Sequence, residues 1–557
     1  MIPCLIFEDE HLLAVNKPAG LNTHAPHPHA GEGIYDWLKH REPRWAALAV
    51  IHRLDKETSG VLVFGKTALA NRSLTEQFTA RSIRKKYLLL TSREPNRRDL
   101  VVKSKIARAG EKYISTAHGE PAETRFHGSD LKSQIPNSKF LEAEPVTGRT
   151  HQIRVHAAEN GFPILGDTLY GGAAFTRVCL HAAELRLRHP AGGAPLTFRA
   201  PVDFGADVRA ALRSALIDPR ETDCFRAVHG ASDGWPDWYV DRLGDYLLSQ
   251  SECPAGEEQK DRLRLLVDGE TGAMSRAPRL AGAYHKILSR QVRRATIAEA
   301  SPKPVIGDDA PERFTVHENG MRFELSFNAG YSVGLFLDQR DNRRRLLTGH
   351  IAADFPLFDA KSKTQNSTYE VLNAFAYTCG FSVCAAKAGA KTTSLDLSKK
   401  YLEWGRRNFA LNGLDPAGHD FIYGDVFDWL RRLARKGRRF DVVLFDPPTF
   451  SQSSGPGTFR VEKDYADLVR TALPLLKPGG ILFASTNAAG WPPEKFLAAV
   501  EAGIREAKRK ILQSHYVPQP PDFPISRSEP AYLKTVWLRV GPDPGRRVIS
   551  SPDPAGA

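Results

Sequence analysis

STYEVLNAFAYTCGFSVCAAKAGA (367–390) reads as an apolar strand, a tight turn and a helix of small residues, and this order decides the fold of the second half of the chain. KTTSLDLS (391–398) then forms a second strand whose apolar run ends at Asp396. FIYGDVFDWL (421–430) places Asp425 at the next strand end, and FDVVLFDPPTFS (440–451) places Asp446 at the fourth. Strands alternating with helical segments predict a doubly wound, Rossmann-like parallel sheet, with a nucleotide-like cofactor in the crevice at the carboxyl ends of its strands. An acid roughly 20 residues beyond the first turn is placed to accept hydrogen bonds from ribose hydroxyls. The turn holds Gly380 as its only glycine, so a search for a glycine-rich phosphate turn passes over it. Each acid alone reads equally as a helix N-cap or a turn residue; three of them at successive strand ends favour a binding site.

Working outward, residues 301–313 (SPKP and GDDAPER) form a linker, and 222–300 is a small β-rich unit in which Gly and Pro punctuate short apolar runs. Strand-like runs dominate from 3 to about 200, which predicts a mixed-sheet α+β domain. The chain is therefore divided into 1–205, 222–300 and 314–541, with a Pro-, Gly- and Ser-rich tail at 542–557 expected to be disordered. Within the first domain, IHRLDKETSGVLVFGKT (51–67) puts Asp55 in a polar turn just ahead of a strongly apolar strand. Such an aspartate, taken alone, caps local backbone amides.

At 557 residues the chain exceeds one hydrophobic core, and 41% apolar with 25% charged residues is ordinary for a soluble protein. No run approaches the roughly 18 apolar residues of a spanning helix, and the start lacks the pattern of a signal peptide, so a cytoplasmic protein without a membrane partner is expected. Six cysteines without a repeated CxxC spacing predict reduced thiols. His24, His27 and His29 lie in a proline-containing loop that no carboxylate or cysteine completes, so no metal site is expected. The net charge of +13 suits a polyanionic partner. Basic clusters at Arg84 to Lys86, Arg343 to Arg345 and Arg431 to Arg439 read individually as solvated faces, with RNA contact as the other reading. The oligomeric state is not legible.

HRLDKETSG, with NKPAGLNTH (16–24), TGRTHQIRVH (147–156), PILGDTLYGG (163–172) and LHAAELRLRHP (180–190), resembles the motif series of RluA-type pseudouridine synthases across residues 3 to 202. The resemblance implies isomerisation of a uridine in RNA with no cofactor or metal. Asp55 would be the reactive carboxylate, Arg154 the guanidinium that keeps it charged and oriented, and Tyr87 the ring that packs on the uracil. Arg53 matches the family position that enters the RNA and fills the gap left by the extracted nucleotide, with His52 beside it.

LDLSKKYLEWGRRNFALNGL (395–414) and DPPTFSQS (446–453) are similar to the RlmI and RlmK type of large-subunit rRNA methyltransferase, as are AVHGASDGWPDWYVDRLG (227–244) and YSVGLFLDQRDNRR (331–344). This similarity covers about 222 to 541 and implies S-adenosylmethionine as cofactor. Asn373, Phe375, Gly380 and Asp396 would bind it, with Asp425 on adenine and Asp446 beside the transferred methyl group; Phe450 reads either as a stacking partner for the target base or as a packing residue. In 5-methylcytosine members of that group a cysteine follows the strand after DPP; here Thr486 and Asn487 stand there, so a nitrogen acceptor, most plausibly guanine N7, is expected. The rival readings are a ribosome-assembly or RNA-binding factor with one idle catalytic half, and a methyltransferase acting on something other than RNA.

Overall fold

The computed structural model describes residues 2–93, 95–269, 279–288, 296–358, 368–452 and 458–543. The predicted tail lies almost wholly outside the described residues.

The first domain is built on an eleven-stranded mixed sheet. Its central strand Ser59–Gly65 is buried along its whole length, and its alternating residues serve opposite faces. Leu62 and Phe64 join a core with Trp37 and Leu38 of helix Ile34–Arg41, while Val61 and Val63 join another with Ala70 and Leu74 of helix Ala68–Thr79. The period-2 geometry of a strand lets one uncharged run support both layers. Ser59–Gly65 pairs antiparallel with Leu12–Lys17 and parallel with Leu180–Arg188, which brings the 51–58 loop beside the chain's later motifs. Helix Val208–Leu216 packs Leu212 and Leu216 into this same core, so the helical segment beyond 205 adheres to the first sheet.

A five-stranded sheet covers Cys224–His229 to Lys303–Gly307. Its Cys224, Leu248 and Tyr284 share a core with the domain that follows. That last domain carries a seven-stranded sheet. Strand Glu370–Ala374 lies between Lys391–Asp396 and Phe440–Phe445, parallel to both. Asp420–Tyr423 and Leu476–Thr486 extend it in parallel on either side, and Lys534–Val540 followed by the edge strand Ile511–Pro518 complete it antiparallel. The winding direction thus reverses at Glu370–Ala374, the position at which open α/β sheets leave a crevice. No described helix is long and apolar enough to cross a membrane.

Candidate active sites

The first cleft, about 900 Å³, opens between the 51–58 loop and the start of helix Gln152–Glu159, and Asp55, Tyr87, Arg154, Arg53 and His52 all line it. The loop bearing Asp55 is pinned from behind. Thr23 Oγ1 donates to Leu54 O at 2.8 Å and accepts the Leu54 N–H at 3.1 Å. The buried Lys17 ammonium donates to Pro18 O, Leu21 O and Lys56 O, tying the 16–24 segment to the residue after Asp55. The carboxylate therefore stands on a rigid edge.

Arg154 is oriented by a bidentate pair with the buried Asp167, Nε to Oδ2 at 2.7 Å and Nη2 to Oδ1 at 2.8 Å. Its third nitrogen, Nη1, has no hydrogen-bond partner and faces Asp55 Oδ2 at 3.8 Å and Glu57 Oε2 at 3.6 Å. A planar fork anchored on one carboxylate thus aims its remaining amine at another. Burial raises the Asp55 carboxyl above its ordinary range, and His151 and Arg154 pull it back towards the ionised form. Tyr87 lies on strand Arg84–Thr91; burial, then the Asp55 charge, push its hydroxyl up, so it is a neutral phenol. Arg53 is exposed at the mouth. His52 lines the cleft, with its Nε2 accepting the Val63 N–H at 3.1 Å and its ring stacked on Phe78. Burial lowers it to about 3, so it forms a neutral wall fixed by backbone and packing. His151 and Asp167 were not singled out from sequence, although both stand inside the quoted motifs.

Lysine cannot reproduce the fork at position 154. If this cleft isomerises uridine as the motif resemblance implies, Arg154→Lys should lower the rate roughly 10- to 100-fold, since misplacing a reacting group by about 1 Å has that scale of effect. Release of tritium from RNA labelled at uracil carbon 5 measures it, and a rate within twofold of wild type would refute the aiming role.

The second cleft, about 930 Å³, lies at the carboxyl ends of the parallel strands of the seven-stranded sheet. Phe375, Asp396, Asp425 and Asp446 line it. Phe375, Tyr377 and Cys379 take φ of 63°, 49° and 64°, a left-handed path made without glycine. Each such residue stores about 1–3 kcal/mol of strain and persists only where its surroundings enforce it. Here Asp396 Oδ2 accepts the Tyr377 N–H and Oδ1 accepts the Ser398 N–H, both at 2.8 Å. Asp396 braces the turn while facing the cleft. Asp425 does two things as well, capping helix Val426–Arg435 through the Asp428 N–H at 3.0 Å and lining the wall.

Asp446 is raised to about 6 by burial. Its orientation is set by a chain that begins at Trp537, whose indole nitrogen can only donate. Trp537 Nε1 donates to Asn342 Oδ1 at 2.9 Å, Asn342 Nδ2 donates to Gln339 Oε1 at 2.8 Å, and Gln339 Nε2 donates to Asp446 Oδ1 at 3.1 Å. Both amides are thereby fixed in direction. Gln339, Tyr377, Tyr401 and Asp338 also line the cleft and were not read from sequence.

Two expected cofactor contacts stand elsewhere. Asn373 is buried in its strand and donates to Ser382 Oγ at 2.9 Å beneath helix Gly380–Lys387, because strand alternation turns it towards that helix. Gly380 opens the same helix and does not line the cleft. Phe450 begins a short strand, Phe450–Gln452, and its side chain lies outside the described residues.

The Arg343 to Arg345 cluster is neither solvated nor free for RNA. Arg343 is buried in a bidentate pair with Glu318, while Arg344 pairs with Glu42 and Arg345 approaches Glu32 at 3.5 Å, joining the last domain to the first. Glu32, His40 and His515 come close enough at this seam to suggest a metal ion, but Arg345 already supplies the positive charge beside Glu32. His29 crosses the same seam to Glu494 at 3.0 Å.

The family described as RNA pseudouridylate synthase matches residues 11–159, and that described as S-adenosylmethionine-dependent methyltransferase matches residues 225–539. A ribosomal RNA large subunit methyltransferase of Deinococcus radiodurans is 33% identical over 371 residues, covering 64% of this chain and 84% of the relative. Ribosomal RNA large subunit methyltransferase I of Klebsiella pneumoniae is 29% identical, covering 59% of this chain and 76% of the relative. Ribosomal large subunit pseudouridine synthase C of Yersinia pestis is 37% identical over 214 residues, 36% of this chain and 66% of its own length.

Proposed function

The chain belongs to the S-adenosylmethionine-dependent methyltransferase family and carries an RNA pseudouridine synthase domain ahead of it, and from that premise we propose that both halves act on RNA, one isomerising a uridine and the other methylating a base. Large-subunit ribosomal RNA is the proposed substrate, since the relatives of both halves bear that name. The observation that carries the reading is the pairing of two separate clefts, one holding Asp55 under the unpartnered Arg154 amine and the other holding Asp396, Asp425 and Asp446 at strand ends. Isomerisation breaks the bond from uracil N1 to ribose and forms one from carbon 5, which gives up its proton while N1 gains one, so it needs one aimed carboxylate and a flipped nucleotide. Methyl transfer from a sulfonium needs chiefly an acceptor held close and in line. Bound S-adenosylmethionine would supply the methyl group; Asp396 would hold its ribose and Asp425 its adenine edge. The Trp537–Asn342–Gln339 chain would hold Asp446 beside the acceptor.

Mass spectrometry of rRNA from cells lacking the chain tests the whole. Two marks should disappear together; loss of one alone would leave the reading of a single active half.

We further propose a nitrogen acceptor, guanine N7 foremost, because pyrimidine carbon 5 needs prior attack by a thiolate. No cysteine is among the residues that line the cleft, and Asn487 stands where that thiol would come from. Cys379 is buried and pushed up to about 12, and Cys384 is buried in the core with its thiol raised further. Unmodified rRNA incubated with labelled S-adenosylmethionine should yield 7-methylguanosine, and recovery of 5-methylcytosine or 5-methyluridine would overturn the proposal.

A further inference from the structure

His151 is the N-cap of helix Gln152–Glu159 and takes a left-handed backbone, φ 56° and ψ 15°, that a residue with a side chain adopts under constraint. That turn directs its ring into the cleft, where Nε2 lies 3.9 Å from Asp55 Oδ2 with the side chain 17% exposed. The other face of the ring is tied down. Nδ1 lies 2.8 Å from the Tyr170 hydroxyl, and that hydroxyl accepts the Tyr113 N–H at 2.8 Å. Both tyrosine rings meet the imidazole edge-on, at centroid distances of 5.3 and 5.7 Å.

The Tyr170 hydroxyl, which accepts the Tyr113 N–H, has one proton of its own to donate; given to the neighbouring Nδ1, it leaves the ring proton on Nε2. The Nε2–H then faces Asp55. A gap of 3.9 Å exceeds a hydrogen bond, and such contacts shorten when substrate closes the site.

We propose that His151 is a positioning residue for the isomerisation: held by Tyr170 with its proton on Nε2, it directs a second donor, alongside the Arg154 amine, at the Asp55 carboxylate. The proposal rests on the reading of Asp55 as the reacting group. The groups facing the imidazole are Asp55 and Glu57 from the 51–58 loop, Arg154 from its own helix, Asp167 and Tyr170 from the loop that follows, and Tyr113 from the adjoining hairpin. Burial lowers the imidazole, which keeps it neutral, and raises the Asp55 carboxyl, which makes a donor at this place effective.

The test is the pH dependence of pseudouridine formation by the full chain carrying His151→Leu, His151→Gln or Tyr170→Phe. Without the donor, Asp55 holds its proton to higher pH, and activity needs the ionised carboxylate. His151→Leu should therefore move the acid limb of kcat upward by about one pH unit, lowering kcat about 10-fold on the acid side of that limb, with KM for RNA within about twofold. His151→Gln, which keeps an N–H and cannot titrate, should restore the limb and most of the rate. Tyr170→Phe should shift the limb in the same direction by less, because the imidazole is then free to carry its proton on Nδ1. An unshifted limb in His151→Leu, or a Gln variant as impaired as Leu, would overturn the proposal. Should the Leu variant fail to fold, judged by circular dichroism and a thermal melt of the full chain, an unshifted limb in Tyr170→Phe overturns it instead. Full activity of Asp55→Asn would defeat the underlying reading; an inactive Asp55→Asn with an unshifted His151→Leu would defeat this inference alone.

Discussion

Replacing Asp55 with asparagine should abolish pseudouridine formation, by more than about 10⁴-fold, while S-adenosylmethionine-dependent methylation by the same chain continues unchanged. Losing a covalent nucleophile has consequences of that size. An amide keeps the shape of the side chain and can still meet the Arg154 amine through its oxygen, but it cannot attack a sugar carbon. The loop behind it is held by Thr23 and Lys17 through backbone atoms, so the substitution leaves those anchors in place. Stability gives an independent check with a definite sign. Because the folded-state carboxyl is raised, the folded protein binds the proton more tightly than the unfolded chain, and stability falls as pH rises through that window. A neutral asparagine removes this penalty, so the variant should melt at the same temperature as wild type or slightly higher at pH 7. Tritium release, RNA binding and a thermal melt on one preparation decide the matter. Residual isomerisation above about 1% would assign the chemistry to another group.

What could be read from sequence divides by whether a signal is contiguous. Asp55 and Arg154 announce themselves because each sits inside an unbroken motif, and the continuous apolar run VLVFG marks the strand beside the first site, whose burial on both faces is seen only in the fold. Asp167 and His151 were within reach, since both stand in quoted motifs; their roles depend on distances across the fold, 2.7 Å to Arg154 and 3.9 Å to Asp55, that spacing does not encode. The cofactor turn escaped a glycine search for a different reason. Its left-handed residues are Phe, Tyr and Cys, and the conformation is imposed by Asp396 and neighbouring backbone instead of being permitted by a missing side chain. A strand end shows in sequence which residues alternate but not which face the crevice occupies, so the turn of Asn373 towards helix Gly380–Lys387 is seen only in the fold. The Trp537–Asn342–Gln339 chain joins residues nearly two hundred positions apart and leaves no periodic trace. The arginines at 343 to 345 looked like a solvated patch because sequence shows charge runs without their partners, Glu318, Glu42 and Glu32, which come from elsewhere in the fold.

Asp396→Ala should weaken S-adenosylmethionine binding by at least about 100-fold and leave pseudouridine formation untouched. Two losses act in the same direction. The carboxylate would accept hydrogen bonds from the ribose hydroxyls, and bonds to a charged group contribute about 1.5–3 kcal/mol each. It also accepts the Tyr377 N–H, and without that bond the turn carrying the left-handed residues Phe375, Tyr377 and Cys379 loses a contact that offsets its strain. Asp396→Asn separates the two. Its amide oxygen can still accept the Tyr377 N–H and so keep the turn, but the amide nitrogen would meet the Ser398 N–H, with which it cannot pair, and the charge is gone. Asparagine should therefore fall between wild type and alanine, with an affinity loss of about 10-fold. Titration calorimetry on the full chain gives the constants, and tritium release on the same samples shows whether the first domain is intact. Equal affinity in wild type and the alanine variant would remove Asp396 from the cofactor site; equal loss in both variants would show that charge alone matters and that bracing the turn contributes nothing to binding.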